Sequence, residues 1–368
     1  MSSNLTIVIP SHNNLDYLKL CYTSLRAASK QVKLIIIDDG STDGTDTYLR
    51  EIAHLDSNLQ HFIPGTRIGH TYWYDNGFSI AQTDYIGIMH SDMIVAPNFF
   101  DILEPYLNET DVVSARCIEP PLHPPGAEKI VKDFGMYPKD FDVKSFVQFV
   151  ETESERMVGK TTPALFAPWF IRREKYKELI GGHDKQFAPY GWEDADIFVR
   201  MMKAGFNPVQ IQSLLVYHFT QRGHRWDAGK VGTANTDYQL QMHITRNRFL
   251  TKWGTFSWKD ENHTPTNIPL FYKQLTIKNY SANLESRIKY ELLHLFFNQV
   301  VTEEGQVIKT DGSSRKPNYE VVFDYALNYD VTALPSFIQQ IPFMIEQYEE
   351  GTYELSGMTF HIYNTQQL

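Results

Sequence analysis

The first hundred residues alternate short apolar runs with stretches in which apolar residues recur at helical spacing. Leu5 to Ile9 is such a run, closed by Pro10. Leu15 to Ala28 then carries Leu18, Cys21, Leu25 and Ala28 on one helical face, and Val32 to Ile37 returns to the strand pattern. That second run ends in Asp38-Asp39-Gly40-Ser41-Thr42-Asp43-Gly44-Thr45, whose glycines and capping residues predict a turn feeding a helix from about Thr45. A further helix is expected from about Tyr72 to Ala81, and a strand over Tyr85 to Met89 that runs into His90-Ser91-Asp92. Buried strands alternating with amphipathic helices predict an α/β fold with a mostly parallel sheet and right-handed crossovers. In such sheets ligands bind beyond the carboxyl ends of the strands, where this chain gathers its polar residues.

Further along, the stretch from Cys117 to Pro168, with Pro120-Pro121 and Pro124-Pro125, reads as an irregular insertion or substrate loop. A helix is expected from Asp194 to Ala204, stopped by Gly205, and a strand from Pro208 to His218. Past Lys252-Trp253-Gly254 the alternation ends. Residues 255–368 hold a helical pattern near Leu284 to Val300 and a Tyr/Phe-rich tail, so the expected division is a catalytic domain over 1–254 and a smaller, partly helical module over 255–368.

Composition narrows the function classes. Lys and Arg number 34 against 44 Asp and Glu, and the net charge of −10 excludes the basic field of a non-specific nucleic-acid binder. An anionic substrate would need a local cationic site. Aromatic residues at 14% predict ring-lined pockets as well as core. Two cysteines, Cys21 and Cys117, cannot build a disulfide framework and fit a reducing compartment. Neither a signal-peptide pattern nor a run of roughly 20 apolar residues is present, which predicts a cytoplasmic chain without an integral membrane segment, peripheral attachment at a membrane remaining open.

The candidate chemistry lies at the predicted strand ends. Asp38 and Asp39 either shape a turn or accept hydrogen bonds from a nucleobase and ribose; Asp43 is expected to cap the following helix. His90 and Asp92 lie two positions apart on an extended chain, so they face the same side; they either form an ordinary strand-end turn or, as an imidazole with a carboxylate, hold a divalent ion that neutralises a diphosphate. Glu193, Asp194 and Asp196 open a helix after Tyr190-Gly191-Trp192; they either complement the helix dipole or form a sugar-binding base site. His218 ends a strand and is either structural or, paired with Asp92, a second metal ligand or a hydrogen-bond donor to phosphate. Arg67 suits bidentate phosphate contact, and Arg222, His224 and Arg225 could add positive charge in a loop over the donor.

In order along the chain, Ile7-Val8-Ile9-Pro10-Ser11-His12-Asn13, Ile35-Ile36-Ile37-Asp38-Asp39-Gly40-Ser41-Thr42-Asp43, Arg67-Ile68-Gly69, Tyr85 to Asp92 and Gly191-Trp192-Glu193-Asp194-Ala195-Asp196 together resemble the landmarks of family 2 glycosyltransferases of the GT-A fold. The resemblance covers residues 4 to 254. It implies an inverting transferase that takes a sugar from a nucleotide-sugar donor, UDP-linked, to a glycan or glycoconjugate acceptor with Mn²⁺ or Mg²⁺. It further implies that Pro10, Ser11, His12, Asp38 and Asp39 hold the nucleoside, with Asp39 the imide partner. Arg67, His90 and Ser91 would complete the donor site, Asp92 and His218 would bind the metal, Asp194 would be the base, and Trp192, Glu193 and Asp196 would grip the acceptor. One departure is that His90 stands where the family's DxD motif has its first acid. A sugar nucleotidyltransferase and a catalytically silent carbohydrate-binding protein of the same fold are the competing readings. A dehydrogenase fails because no G-x-G-x-x-G follows the first strand.

Overall fold

The computed structural model describes residues 4–179, 182–220, 225, 235–253, 255–268, 270–278, 297–301, 307–309, 314–325, 350–355 and 358–364. The expected alternation is present at the start: β1 (Leu5–Ser11), α1 (Leu15–Ala28), β2 (Lys33–Asp38), α2 (Thr45–Ala53), β3 (Leu59–Phe62), α3 (His70–Ile80) and β4 (Tyr85–Ile88). β1 pairs in parallel with β2 and β4, and β2 with β3. Every residue of β1 is buried, because helices cover both faces of such a sheet and leave no polar side to alternate toward. Gly77 lets α3 press directly on β1, since a Cβ there would sit 2.6 Å from the methyls of Val8.

The chain continues through β5 (Met93–Val95), α4 (Phe99–Tyr106), β6 (Val112–Glu119), β7 (Lys129–Val131), α5 (Val143–Arg156), β8 (Thr161–Thr162), β9 (Trp169–Arg172), α6 (Arg173–Glu178), α7 (Glu193–Lys203), β10 (Pro208–His218) and α8 (Thr236–Trp253). The sheet order is β3-β2-β1-β4-β9-β6-β10-β5, with β7 beside β6 and β8 beside β10. The sheet is mixed and mostly parallel: β9 runs antiparallel to β4 and β6, and β5 antiparallel to β10.

The stretch from Cys117 to Pro168 is more regular than its prolines suggest. It contains the end of β6, then β7 and the 14-residue helix α5, started by Asp142, whose carboxylate accepts from the Ser145 amide at 3.0 Å. Phe146 and Val150, four residues apart on one face of α5, pack with Leu215, Tyr217 and Phe219 in a core under β10.

Six further strands, β11 (Leu270–Lys278), β12 (Phe297–Val301), β13 (Val307–Lys309), β14 (Ser314–Tyr325), β15 (Gly351–Leu355) and β16 (Met358–Asn364), make a second sheet in the order β13-β12-β11-β14-β16-β15. The helix expected near Leu284 to Val300 is corrected at its end, where Phe297 to Val300 are strand paired with β11 and β13; residues 284–296 lie outside the described residues. All described elements of this second part are strands. Residues 255–268 still pack on the first unit: the Leu165 amide donates to the His263 carbonyl at 3.2 Å, Lys203 Nζ to Asn267 Oδ1 at 2.7 Å, and Ile268 is buried with Phe187, Phe249 and Trp253. No helix among the described residues is long and apolar enough to cross a membrane.

Candidate active site

A cleft of about 170 Å³ opens beyond the carboxyl ends of β1, β4 and β10. It brings together Pro10, His12, His90, Ser91, Asp92, Trp192, Glu193, Asp194 and His218, residues separated by up to 208 positions in sequence. Ser11, Asp38, Asp39, Arg67 and Asp196 are not among its lining residues.

On the side of β1 and β2, the chain after β1 is braced against the chain after β2. The Asp39 amide donates to the Ser11 carbonyl at 2.8 Å, and His12 Nδ1 lies 2.8 Å from the Asp39 carbonyl. Burial, then the nearby Arg67, lowers the pKa of His12 and favours its neutral ring. Asp38 Oδ1 accepts from the Ser41 amide at 2.8 Å and so shapes the turn. Asp43 serves two helices, accepting from the Leu15 amide at the start of α1 and from Thr45 at the start of α2.

Asp39 is buried, and its carboxylate is committed to the segment that precedes and opens α3. It accepts from the Ile68 amide at 2.7 Å, the Gly69 amide at 3.1 Å and Trp73 Nε1 at 2.7 Å. It therefore positions Arg67, whose Nε lies 4.0 Å from it and whose guanidinium covers the Tyr190 ring at 5.1 Å. Gly69 makes this fit: its φ is +102°, and a Cβ would fall 2.3 Å from Pro189 Cα.

At the floor of the cleft, His90, Asp92 and His218 each place one ligand atom within 4.8 Å of the others. His218 Nε2 is 3.5 Å from Asp92 Oδ1, and the His90 and His218 rings are 5.4 Å apart. The donor set of two imidazoles and one carboxylate fits a divalent ion of the first transition row, and fits Mg²⁺, which prefers oxygen, less well. Behind it, Glu119 accepts from His218 Nδ1 at 2.8 Å and from Lys129 Nζ at 2.8 Å. Against burial, which favours the neutral ring, Asp92 and Glu119 lift His218 to about 9. Glu119 is held at about 2 against burial by His218 and Lys129.

The opposite wall comes from the start of α7. Gly191 (φ +100°) and Trp192 (φ +66°) both take left-handed backbone, which turns the chain so that Glu193 and Asp194 enter the cleft. Burial raises the pKa of Asp194, opposed by the fields of His90 and His218, and burial together with Asp194 pushes Glu193 up to about 8. Glu193 Oε1 faces His70 Nδ1 at 3.9 Å. Trp192 stands against Phe249 and Phe256 at ring distances of 5.0 and 5.9 Å.

Asp196 corrects the expected acceptor grip. It is wholly buried away from the cleft, where it pairs with Lys252 Nζ at 2.7 Å, accepts from Trp253 Nε1 at 2.8 Å and meets Arg200 Nη1 at 3.4 Å. Of the basic loop expected over the donor, Arg222 and His224 lie outside the described residues, while Arg225 Nη1 is 2.7 Å from His123 Nε2. Sequence reasoning missed Glu119, His70 and Phe166. Glu119 carried a usable signal, an acid at the carboxyl end of an apolar strand; the others lacked one, because their neighbours in space are distant in sequence.

Residues 6–161 match the model of glycosyl transferase family 2. Glycosyltransferase GlyG of Streptococcus pneumoniae serotype 4 is 29% identical over 112 residues, 30% of this chain and 37% of that protein. An uncharacterized glycosyltransferase of Haemophilus influenzae is 33% identical over 105 residues, 28% of this chain and 41% of that one. The matched parts thus span well under two thirds of these relatives. Among solved structures, S. aureus TarS 1-349 in complex with UDP-GlcNAc aligns with a TM-score of 0.44 and 14% identity over 67% of this chain and 66% of that one. The mannosyltransferase PcManGT from Pyrobaculum calidifontis, in complex with GDP-Man and Mn²⁺, aligns with a TM-score of 0.41 and 14% identity over 66% and 68%.

Proposed function

We propose that this protein is a glycosyltransferase of the GT-A fold, a reading supported by the match of residues 6–161 to the glycosyl transferase family 2 model and by the mostly parallel sheet those residues begin. In this reading it moves a sugar from a nucleoside-diphosphate donor, UDP-linked, to a hydroxyl of a glycan or glycoconjugate, in one displacement that inverts the anomeric carbon. The observation that carries the proposal is the meeting, in one cleft, of the His90, Asp92 and His218 donor set with Asp194, a carboxylate whose pKa burial has raised.

The roles follow from charge and reach. Pro10 and His12 face the nucleoside, while Asp38 and Asp39 act from behind by fixing the loops that present it. Arg67, held by Asp39 and Tyr190, meets the diphosphate on which negative charge accumulates. His90, Asp92 and His218 would hold the divalent ion, Mn²⁺ or Mg²⁺; when bound it would neutralise that same charge. Asp194 takes the proton of the acceptor hydroxyl as its oxygen bonds to the anomeric carbon and the bond to the diphosphate breaks. A carboxylate whose pKa burial has raised accepts that proton more readily near neutral pH. Trp192 and Glu193 line the acceptor side. No covalent intermediate is needed, in keeping with the two cysteines, both of which are buried.

The test is a panel of nucleotide sugars with and without Mn²⁺ or Mg²⁺, following release of nucleoside diphosphate and the anomeric configuration of the product. Turnover of a UDP-sugar that chelation abolishes is expected. Absence of turnover with every donor, together with no thermal shift from any nucleoside diphosphate, overturns the reading. Asp194→Asn should keep nucleotide binding and lose transfer by roughly 10²-fold or more; lost binding would instead reassign the base.

A further inference from the structure

We propose that Glu119, braced by Lys129, is a positioning residue that holds His218 in the orientation and tautomer required of a metal ligand. The proposal rests on the metal part of the reading above and extends it to two residues outside the sequence motifs. Three neighbouring strands deliver the arrangement. β7 pairs with β6 and β6 with β10, all in parallel, with Lys129 opposite Cys117 and Tyr217 opposite Ile118; Glu119 and His218 thus end adjacent strands side by side. The Glu119 side chain is only 4% exposed, and each oxygen has its own partner, His218 Nδ1 at 2.8 Å and Lys129 Nζ at 2.8 Å.

An ionised carboxylate can only accept hydrogen bonds, so the imidazole nitrogen facing Glu119 carries a hydrogen. That leaves Nε2 as the atom turned toward the cleft. Nε2 is buried and lies 3.5 Å from Asp92 Oδ1. A buried ion pair that served only stability would not need to present this atom to two other candidate ligands. Ligating histidines generally donate their second ring nitrogen to such an acceptor, and loss of that acceptor weakens metal binding. Lys129 supplies the counter-charge, without which a carboxylate so buried would be strongly disfavoured. It also orients the carboxylate, because the oxygen it binds is the one that does not face His218.

The experiment titrates Co²⁺ into the full-length, metal-free protein and follows the visible absorption of the bound ion. Wild type is compared with Glu119→Ala, Glu119→Gln and His218→Ala. Affinity for uridine diphosphate is measured without metal as a check on the rest of the cleft. We expect Glu119→Ala to weaken Co²⁺ binding roughly 10- to 100-fold and alter the spectrum, with metal-free nucleotide affinity unchanged. Glu119→Gln keeps an oxygen to accept from Nδ1 and should recover most of the affinity. If wild type binds no Co²⁺, or His218→Ala binds it as wild type does, the metal reading falls and this proposal with it. If wild type binds and Glu119→Ala lies within twofold of it, the site stands and the positioning role is overturned. Should Glu119→Ala not fold, Lys129→Met replaces it. Several-fold weaker Co²⁺ binding would then support the role, and unchanged affinity would overturn it.

Discussion

Asp194 and Asp196 show how little separates two acids on one helix and how differently they are used. Two residues along an α-helix turn the side chain by about 200°, so the pair must face opposite ways. Asp194 enters the cleft, while Asp196 turns inward to Lys252, Trp253 and Arg200. The sequence placed three acids at the start of this helix but could not tell which faced the cleft, because Lys252 and Trp253 lie more than 50 residues downstream. Asp196→Ala removes the carboxylate facing the buried Arg200 and one of the two on Lys252, which keeps Asp184 at 2.6 Å, so it should cost about 3 kcal/mol in denaturant unfolding, the low end for a broken buried pair. A loss below about 1 kcal/mol would show that the buried network contributes little.

At the scale of elements, α3 is the joint between the two walls of the cleft. Its Gly77 packs on β1, its first turn is tied to Asp39, and its Asp75 receives Lys185, His183 and Tyr176 from the chain that leads to α7. Against the upward push of burial, His183 and Lys185 hold the Asp75 carboxyl at about 2. A native pKa below the unfolded value of 3.8 means that this tie stabilises fully above the unfolded pKa and weakens as pH falls toward 2. Its worth is roughly 2 kcal/mol. The stability gap between wild type and Asp75→Asn should therefore be widest at neutral pH and shrink by roughly half near pH 3, read from urea midpoints. A gap that stays constant from pH 7 to pH 3 would contradict the assignment. α3 itself was legible from its apolar spacing, whereas α5 was hidden by the prolines before it. What marks α5 is Asp142 followed by Phe146 and Val150, a cap and a stripe that stand out once β10 is known to need a cover.

For the whole molecule, the break expected after Gly254 falls among residues still bound to the first unit. A chain ending at residue 268 should keep the midpoint of thermal unfolding and the nucleoside-diphosphate binding of that unit. One ending at residue 254 loses buried Ile268, the bond from Leu165 to His263 and the bond from Lys203 to Asn267, and should melt at least about 5 °C lower. Equal midpoints for the two truncations would return the boundary to 254. The first part of the chain was legible because local rules govern it: the apolar period chooses strand or helix, and glycines with capping residues mark the turns. The same rules put His12, His90, Asp92, Asp194 and His218 at element ends, and sequence alone determined that these candidate residues gather there. Only the tertiary structure decided which of them share a cleft, that Asp39 and Asp196 work from behind it, and that Glu119 stands beside His218. The physical reason is that hydrogen bonds, burial and electric fields act over a few ångströms in space, whereas these partners lie tens to hundreds of residues apart along the chain.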